Sequence, residues 1–226
     1  MRRKAEFFLL ILLLAGLIVI SRNLGRYVSS GKVKRAENTV VLDSGHGGSD
    51  PGKVGVNKAK EKDINLKIAK KVKKLLEKKG IKVVMTREDD TMLAKDKNGS
   101  QKVQDMKERV KLINSTGPEL AVSIHQNSYH EESIHGAQVF YYKHSAQGEQ
   151  FAAIMQKALL SIDKENRRQP KADDTYYLLK KTEVPTVIVE CGFLSNPEEA
   201  EKLVTEEYQQ QIAEAIVKGI EACMKE

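Results

Sequence analysis

The apolar residues of this chain form two patterns, short clusters and longer stretches with helical spacing. The short clusters are residues 40–42, which are unbroken, and residues 81–86, 120–124 and 186–189, each of which contains one or two polar residues. A strand that is apolar on both faces is typical of a parallel sheet covered by helices. These clusters therefore predict four buried strands in the interior of one α/β domain.

Helical spacing predicts the layers around that sheet. Ile64, Ile68 and Val72 recur on one side of a predicted helix at residues 58–80, which Gly80 ends. The remaining predicted elements are helices at 103–114, 146–160 and 208–224, a strand at 137–142, charged or polar loops at 88–102 and 164–174, a short helix or turn at 176–179, and a helix whose first turn contains Pro197. We expect a single domain with a mainly parallel central sheet flanked by helices on both faces.

The N-terminus has a different composition. A basic cap at residues 1–4 precedes an apolar run at 7–20, which is short for a spanning helix of about 20 residues. No small-residue cleavage site follows closely, and Arg22 and Arg26 stand there instead. Residues 1–22 are therefore predicted to be a signal or membrane-anchor segment, with an anchor favoured, and the basic flank places the rest outside the cytoplasm. Residues 23–38 are predicted to be a linker, and 39–226 the catalytic domain.

Composition narrows the possible partners. The 226-residue chain has a net charge of +7, which favours polyanionic surroundings such as a bacterial wall or an acidic membrane face. It has no tryptophan and no interleaving of aromatic and basic residues, so nucleic acid is not an expected partner. Cys191 and Cys223 match no metal-ligand spacing and make a poor disulfide framework.

Three predicted strands end in a residue capable of chemistry. His46 follows the first strand inside a glycine-rich loop, His125 follows the third, and Glu190 follows the fourth. Carboxyl ends of parallel strands meet at one edge of a sheet, so these residues are expected to converge. Glu61 begins the helix after the glycine loop, where a carboxylate complements the helix dipole.

Two imidazoles and a carboxylate form a ligand set for catalytic zinc, which lowers the pKa of bound water to about 7. A second carboxylate is then needed for acid–base work. We assign His46, Glu61 and His125 to the metal and Glu190 to proton transfer. Other interpretations remain open: Glu61 as a dipole-complementing residue, His125 as an ordinary buried histidine, and Cys191 as a rival ligand. Adjacent strand residues face opposite ways, however, so Glu190 and Cys191 should not share the site.

These motifs resemble the zinc-dependent N-acetylmuramoyl-L-alanine amidases of the Amidase_3 family. The resemblance rests on residues 42–48, 61–66, 123–127 and 189–196, and it spans most of the chain from Val40 onward. It implies that His46, Glu61 and His125 bind zinc and that Glu190 is catalytic. Ser44 departs from the pattern, since many relatives have proline there. No long autoinhibitory helix is evident between Glu61 and His125.

Residues 136–142 and 176–179 are similar to the sporulation and germination group often called CwlD-like. That resemblance implies cleavage of the amide between the lactyl group of N-acetylmuramic acid and L-alanine of peptidoglycan, leading to muramic-δ-lactam in spore cortex. A protein partner could be needed for activity. The alternatives are a zinc carboxypeptidase or endopeptidase, for which Arg87 or Arg109 could hold a terminal carboxylate, and a non-catalytic wall-binding module. Both arginines are more simply interpreted as surface or salt-bridge residues.

Overall fold

A computed structural model describes residues 35–94 and 100–225. The predicted N-terminal segment and residues 23–34 of the predicted linker lie outside these residues. The strands are β1 (Ala36–Ser44), β2 (Lys82–Met85), β3 (Pro118–Asn127), β4 (Gln138–Tyr142), β5 (Lys171–Asp173) and β6 (Thr186–Phe193). The helices are α1 (Glu61–Lys78), α2 (Gln101–Thr116), α3 (Ala146–Leu159), α4 (Tyr177–Lys181), α5 (Pro197–Leu203) and α6 (Glu206–Cys223).

The six strands form one sheet in the order β2-β1-β3-β6-β4-β5. All neighbouring pairs are parallel except β4 and β6, which are antiparallel. The mainly parallel α/β sheet predicted from the sequence is therefore confirmed. β1, β3 and β6 lie side by side, so their carboxyl ends are adjacent.

Helices cover both faces of the sheet, and the strand residues alternate between the two layers. Val40 and Leu42 pack into the larger core with α1, α3 and α6, whereas Val41 packs into a smaller core with α2 and α4. All three valine and leucine side chains are fully buried. A run that is apolar at every position was the correct sign of a sheet covered twice.

Two central strands continue further than their apolar runs. β3 includes His125 and ends at Asn127, and β6 includes Glu190 and ends at Phe193. The predicted strands stopped earlier because the polar residues looked like loop residues. Within the sheet these residues are held by ladder pairing, and His125 is the register partner of Glu190.

Two further differences lie at the edges of the predicted segments. β5 occupies part of the predicted charged loop; it is short and polar and pairs only with β4. β1 begins at Ala36, inside the predicted linker, because Ala36 pairs with Pro118 before a register shift precedes Val40. Asn38 lies in this shift with a φ of 54°. β5 and the first residues of β1 are short and mostly polar, so neither leaves a hydrophobic pattern in the sequence.

The helix ends show local sequence signals. Ser145, Asn196 and Thr205 cap α3, α5 and α6 with side-chain oxygens that accept backbone N–H groups. Gly117 ends α2 in a left-handed conformation. In the part of the chain that the structure describes, no helix is both long enough and apolar enough to cross a membrane.

Candidate metal centre and catalytic site

The site lies on the sheet face that α2 and α4 cover, at the carboxyl ends of β1, β3 and β6. Asp43 is the register partner of Ser123, and His125 is the register partner of Glu190. Because side chains alternate along a strand, Asp43 shares the face of Val41, and Glu190 shares the face of Ile188. Strand alternation and register therefore bring Asp43, His125 and Glu190 to the same part of this face.

His46, Glu61 and His125 form one cluster. One ligand atom from each residue lies within 4.8 Å of the others. The Glu61 carboxylate lies between the imidazoles, with Oε1 2.9 Å from Nδ1 of His125 and Oε2 3.2 Å from Nε2 of His46. The two rings lie edge to face with their centroids 5.0 Å apart. The predicted convergence of these three residues is therefore what the structure shows.

Glu61 is fixed from several directions. It is the first residue of α1, and its side chain is nearly fully buried. Oε1 accepts the backbone N–H of Gln126 at 3.1 Å, and Oε2 accepts that of Lys53 at 2.8 Å. Burial raises its pKa, but hydrogen bonds from His125 and His46 outweigh burial and hold the pKa well below the usual value. This carboxylate is therefore ionised and oriented before any ligand arrives.

The contact with Glu61 also shifts the pKa of His125. Burial lowers its pKa, while the hydrogen bond and charge of Glu61 raise it, with a net result of about 8. The environment therefore favours positive charge between these side chains. A proton can supply that charge, and so can a cation.

Asp50 sets the orientation of His46. Its Oδ2 lies 2.8 Å from Nδ1 of His46, so Nε2 is the nitrogen directed toward Glu61. A carboxylate on the far nitrogen of a ligating histidine is the usual means of fixing ring and tautomer. His46 itself has a φ of 61°, a conformation that is uncommon outside glycine.

Two glycines leave space for the cluster. A Cβ on Gly45 would lie 2.2 Å from Cε1 of His125, and a Cβ on Gly52 would lie 2.5 Å from Oε2 of Glu61. Both positions therefore exclude a side chain on steric grounds. The glycine-rich composition of the loop allows the close approach of backbone and ligand set.

Two buried arginines hold the backbone of the His46 loop. Arg109 donates to the carbonyls of Ser44 and His46, each at 2.7 Å. Arg87 donates to the carbonyls of Ser44 at 3.0 Å and Gly45 at 3.1 Å. The sequence offers these arginines as holders of a substrate carboxylate or, more simply, as surface or salt-bridge residues. Arg109 does form salt bridges, with Asp43 and Asp105. Arg109 and Arg87 are 2% and 4% exposed with their donors already engaged, so the structure gives no support to a role in holding a substrate carboxylate.

Asp43 completes this buried network. Its carboxylate accepts from Arg109 at 2.7 Å, from Ser123 at 2.6 Å and from Thr86 at 2.7 Å. Burial raises its pKa, but the Arg109 charge and the hydroxyl donors overcome this and lower the pKa to about 2. Asp43 was visible in the glycine-loop motif, but its contacts join distant segments and left no local signal.

Glu190 is the buried carboxyl group without a full set of partners. Its Oε2 has no hydrogen-bond partner among the residues that the structure describes. Burial raises its pKa, His125 lowers it, and Glu61 raises it again, to about 7. A carboxyl group with a pKa near neutrality can both accept and donate a proton at working pH.

Cys191 points away from Glu190. It is fully buried in the larger core, on the opposite face of β6. Burial raises the pKa of its thiol well above the usual value. The thiol is therefore separated from the cluster, as strand alternation predicted.

A cleft of about 440 Å³ gives access to the cluster. Glu190, His46, Glu61 and His125 line its base. The rest of its wall includes Lys53, Lys102, Met106, Asn127, Ser128, Tyr176, Tyr177 and Leu178. The polar groups therefore face a space large enough for part of a peptide and sugar substrate.

The donor set fits a zinc ion. Two imidazoles and one carboxylate, with their ligand atoms already gathered, match the protein ligands of a catalytic zinc site. The orphaned oxygen of Glu190 beside this set is suited to a reacting water rather than to a fourth protein ligand. The fit therefore rests on the chemistry of these residues.

Comparison with known proteins gives the same family as the motifs. Residues 40–222 match the N-acetylmuramoyl-L-alanine amidase family. The chain is 40% identical to a germination-specific N-acetylmuramoyl-L-alanine amidase of Bacillus subtilis over 194 residues, covering 84% of this chain and 79% of the relative. It is 36% identical to a probable cell wall amidase, LytH, of Staphylococcus saprophyticus, covering 84% of this chain and 60% of that one.

Solved structures agree with the sequence comparison. The CwlD amidase of Clostridioides difficile, solved in complex with the GerS lipoprotein, superposes with a TM-score of 0.80 at 40% identity. The match covers 83% of this chain and 98% of that one. This confirms the fold and the family resemblance inferred from the motifs. The chain therefore belongs to the N-acetylmuramoyl-L-alanine amidase family, and it is an amidase of the hydrolase class.

Proposed function

We propose that this protein is a zinc-dependent amidase that separates stem peptides from the glycan strands of peptidoglycan. The bond cleaved is the amide between the lactyl group of N-acetylmuramic acid and L-alanine. The observation that carries the proposal is the gathered set of His46, Glu61 and His125 beside the partnerless carboxyl oxygen of Glu190.

His46, Glu61 and His125 would hold the metal in this scheme. A zinc ion there supplies Lewis acidity toward the amide carbonyl and makes water more acidic. Asp50 keeps Nε2 of His46 directed at the site, and the backbone N–H groups of Lys53 and Gln126 keep Glu61 oriented. These contacts hold the ligand atoms in place, so little reorganisation is needed on binding.

Glu190 would transfer the protons. Its raised pKa lets it take a proton from the attacking water and return that proton to the leaving amine of L-alanine. Its place in β6, opposite His125 in register, keeps it next to the metal ligands without being one of them.

The biological setting we infer is spore cortex maturation. The support is the germination-specific amidase of B. subtilis at 40% identity and the CwlD amidase as a structural neighbour. Removal of a stem peptide leaves the free lactyl carboxyl group that formation of a muramic-δ-lactam requires. In this setting the protein would act outside the cytoplasm, and we infer that residues 1–22 serve as a membrane anchor or export signal.

A protein partner is part of the proposal. The CwlD neighbour was solved with a lipoprotein bound. We infer that a comparable extracytoplasmic protein activates this chain. Comparing zinc content and amide cleavage with and without candidate lipoproteins would test this.

The deciding experiment is mass spectrometry of peptidoglycan fragments after incubation with zinc-loaded protein, with Glu190→Gln protein as the control. Free stem peptides beginning with L-alanine, together with peptide-free muramic acid, are expected. Shortened peptides still attached to the glycan would indicate a carboxypeptidase or endopeptidase instead. Bound zinc without any cleavage, even with a partner added, would favour a wall-binding module.

A further inference from the structure

The positive charge of the chain is concentrated in one segment next to the cleft. Residues 53–82 contain twelve lysines and three acidic residues, whereas all other residues together contain 26 basic and 28 acidic residues. This segment consists of the loop leading into α1, α1 itself and the turn that follows, up to the first residue of β2. The excess of positive charge over the whole sequence is therefore a local feature of α1 and its flanking residues.

The lysines of α1 divide into paired and unpaired sets. Lys62 pairs with Asp90, Lys71 with Glu206, and Lys73 with Glu88. By contrast, a row of exposed lysines has no ion-pair partner among the described residues. The row consists of Lys67, Lys70, Lys74 and Lys78.

The unpaired lysines form a continuous line along the helix. Their spacing of three, four and four residues places them on one face. With a rise of about 1.5 Å per residue, Lys67 lies about 9 Å along the axis from Glu61 and Lys78 about 26 Å. The line therefore leads away from the ligand set for most of the helix. Lys53, which lines the cleft, lies at the other end of the same basic segment.

This arrangement costs the helix stability. Like charges three and four residues apart repel each other on a helix surface. Lys62, Lys71 and Lys73 on the same helix each have a carboxylate partner. The lack of partners along the row is therefore not due to a lack of carboxylates around α1. Unpaired like charges at repulsive spacing, on a helix that begins at the cleft, favour an external anionic partner.

We propose that the lysine row of α1 is a docking surface for the anionic stem peptides of polymeric peptidoglycan. The inference rests on the proposed function, because stem peptides carry free carboxylates and a glycan strand presents them repeatedly. A strand whose scissile amide lies in the cleft would place neighbouring stems over α1. The row then contributes to binding of polymer and not to the chemical step.

Charge and burial favour this partner over a membrane surface. Helices that lie on membranes insert an apolar face into the lipid boundary. The apolar face of α1 is instead buried in the larger core through Ile64, Ile68 and Val72. The exposed row offers charge alone, which suits a hydrated polyanion.

The test compares the full-length protein with a variant in which Lys67, Lys70, Lys74 and Lys78 are all changed to glutamine. Glutamine keeps the helix propensity, so the fold should be retained, and a thermal melt no lower than that of the parent would confirm this. The matched control changes four exposed lysines on other elements, Lys107, Lys157, Lys164 and Lys218, to glutamine. Both variants lose the same net charge.

Binding is measured by co-sedimentation with purified peptidoglycan sacculi, in a Glu190→Gln background so that the polymer stays intact. We expect the row variant to bind about tenfold more weakly at low ionic strength. The difference should disappear in 1 M salt, where the screening length is about 3 Å. The control should bind like the parent. Equal binding of parent and row variant, or equal losses in row variant and control, would overturn the proposal.

Activity separates this inference from the proposed function. With Glu190 intact, kcat/KM on sacculi should fall about tenfold in the row variant, while kcat/KM on single disaccharide peptides should be unchanged. Failure of the parent to cleave either substrate would count against the amidase proposal, and the binding result would still decide the docking surface. Lysine-dependent binding to anionic phospholipid vesicles, with no change on sacculi, would assign the row to a membrane instead and overturn the proposal.

Discussion

Arg109 donates a 2.7 Å hydrogen bond from the middle of α2 to the main-chain carbonyl of His46. A second bond of the same length reaches the carbonyl of Ser44, and a third reaches Asp43. One buried guanidinium therefore links the loop of a metal-ligand candidate to the strand before it. His46 keeps its left-handed conformation because the loop carbonyls on either side are held in place.

Replacing Arg109 with lysine should destabilise the protein and weaken zinc binding. Lysine keeps the charge but lacks the planar fork, so buried carbonyls lose their donors, and we expect a loss of about 3 kcal/mol. Urea unfolding and zinc titration would measure both effects. Lys111→Arg, at an exposed position on the same helix, should change stability by less than about 0.5 kcal/mol. An Arg109→Lys protein as stable as the parent would remove the arginine from this role.

Replacing Asp50 with alanine should weaken zinc binding without unfolding the domain. The carboxylate holds Nδ1 of His46, and loss of such an outer contact typically costs about 10–100-fold in metal affinity. Competition with a chromophoric chelator would give the affinity. The control is Asp63→Ala, which removes an exposed carboxylate two residues from Glu61. If both variants bind zinc equally well, the Asp50 contact does not position His46.

The two glutamates should respond differently to the same substitution. Glu190→Gln keeps the shape and removes the proton acceptor, so zinc should stay bound while turnover falls about 10²–10⁴-fold. Glu61→Gln should lose both, because a neutral amide is a poorer ligand than a carboxylate. Zinc content and amide cleavage measured side by side test this division of roles. The opposite result, with zinc lost only from Glu190→Gln, would reverse the assignment.

The raised pKa of Glu190 predicts a pH dependence of stability in chelator-treated protein. The pKa of Glu190 is about 7 in the folded protein, against a reference pKa of 4.5. The folded protein therefore holds this proton more tightly than the unfolded chain. Unfolding then releases a proton between these values. The contribution to the free energy of unfolding falls by about 3 kcal/mol as the pH rises from 4.5 to 7, and it is level above that.

Urea unfolding at a series of pH values measures this fall, and Glu190→Gln should lack it. The exposed Glu183→Gln variant should retain it. A pH profile identical in the parent and in Glu190→Gln would show that burial does not raise the pKa of this carboxyl group.

The sequence predicted the convergence of the candidate site residues because these residues follow strong local patterns. His46, His125 and Glu190 each come after an apolar run, and Glu61 begins a helix of regular period. In a parallel sheet these positions converge whatever the detailed packing. The convergence of these four candidate residues could therefore be predicted from the order of the elements alone.

The supporting residues could not be predicted in the same way. Arg87 and Arg109 occupy polar or amphipathic stretches, where a surface position was the simpler interpretation. Their contacts with the His46 loop reach backbone carbonyls more than 40 residues away, and such contacts leave no periodicity in the sequence. β5 was missed for a related reason, because a three-residue strand with charged residues on either side of an alanine carries no hydrophobic pattern.

The alternation of side chains along β6 also affects how the catalytic motif withstands oxidation. Cys191 adjoins Glu190 in the chain, but its sulfur lies in a closed apolar layer with a strongly raised pKa. Oxidants and alkylating agents react with exposed thiolates. The Cys191 sulfur is buried, and its raised pKa disfavours the thiolate form. Cys191 can therefore stay reduced beside Glu190 without a disulfide partner.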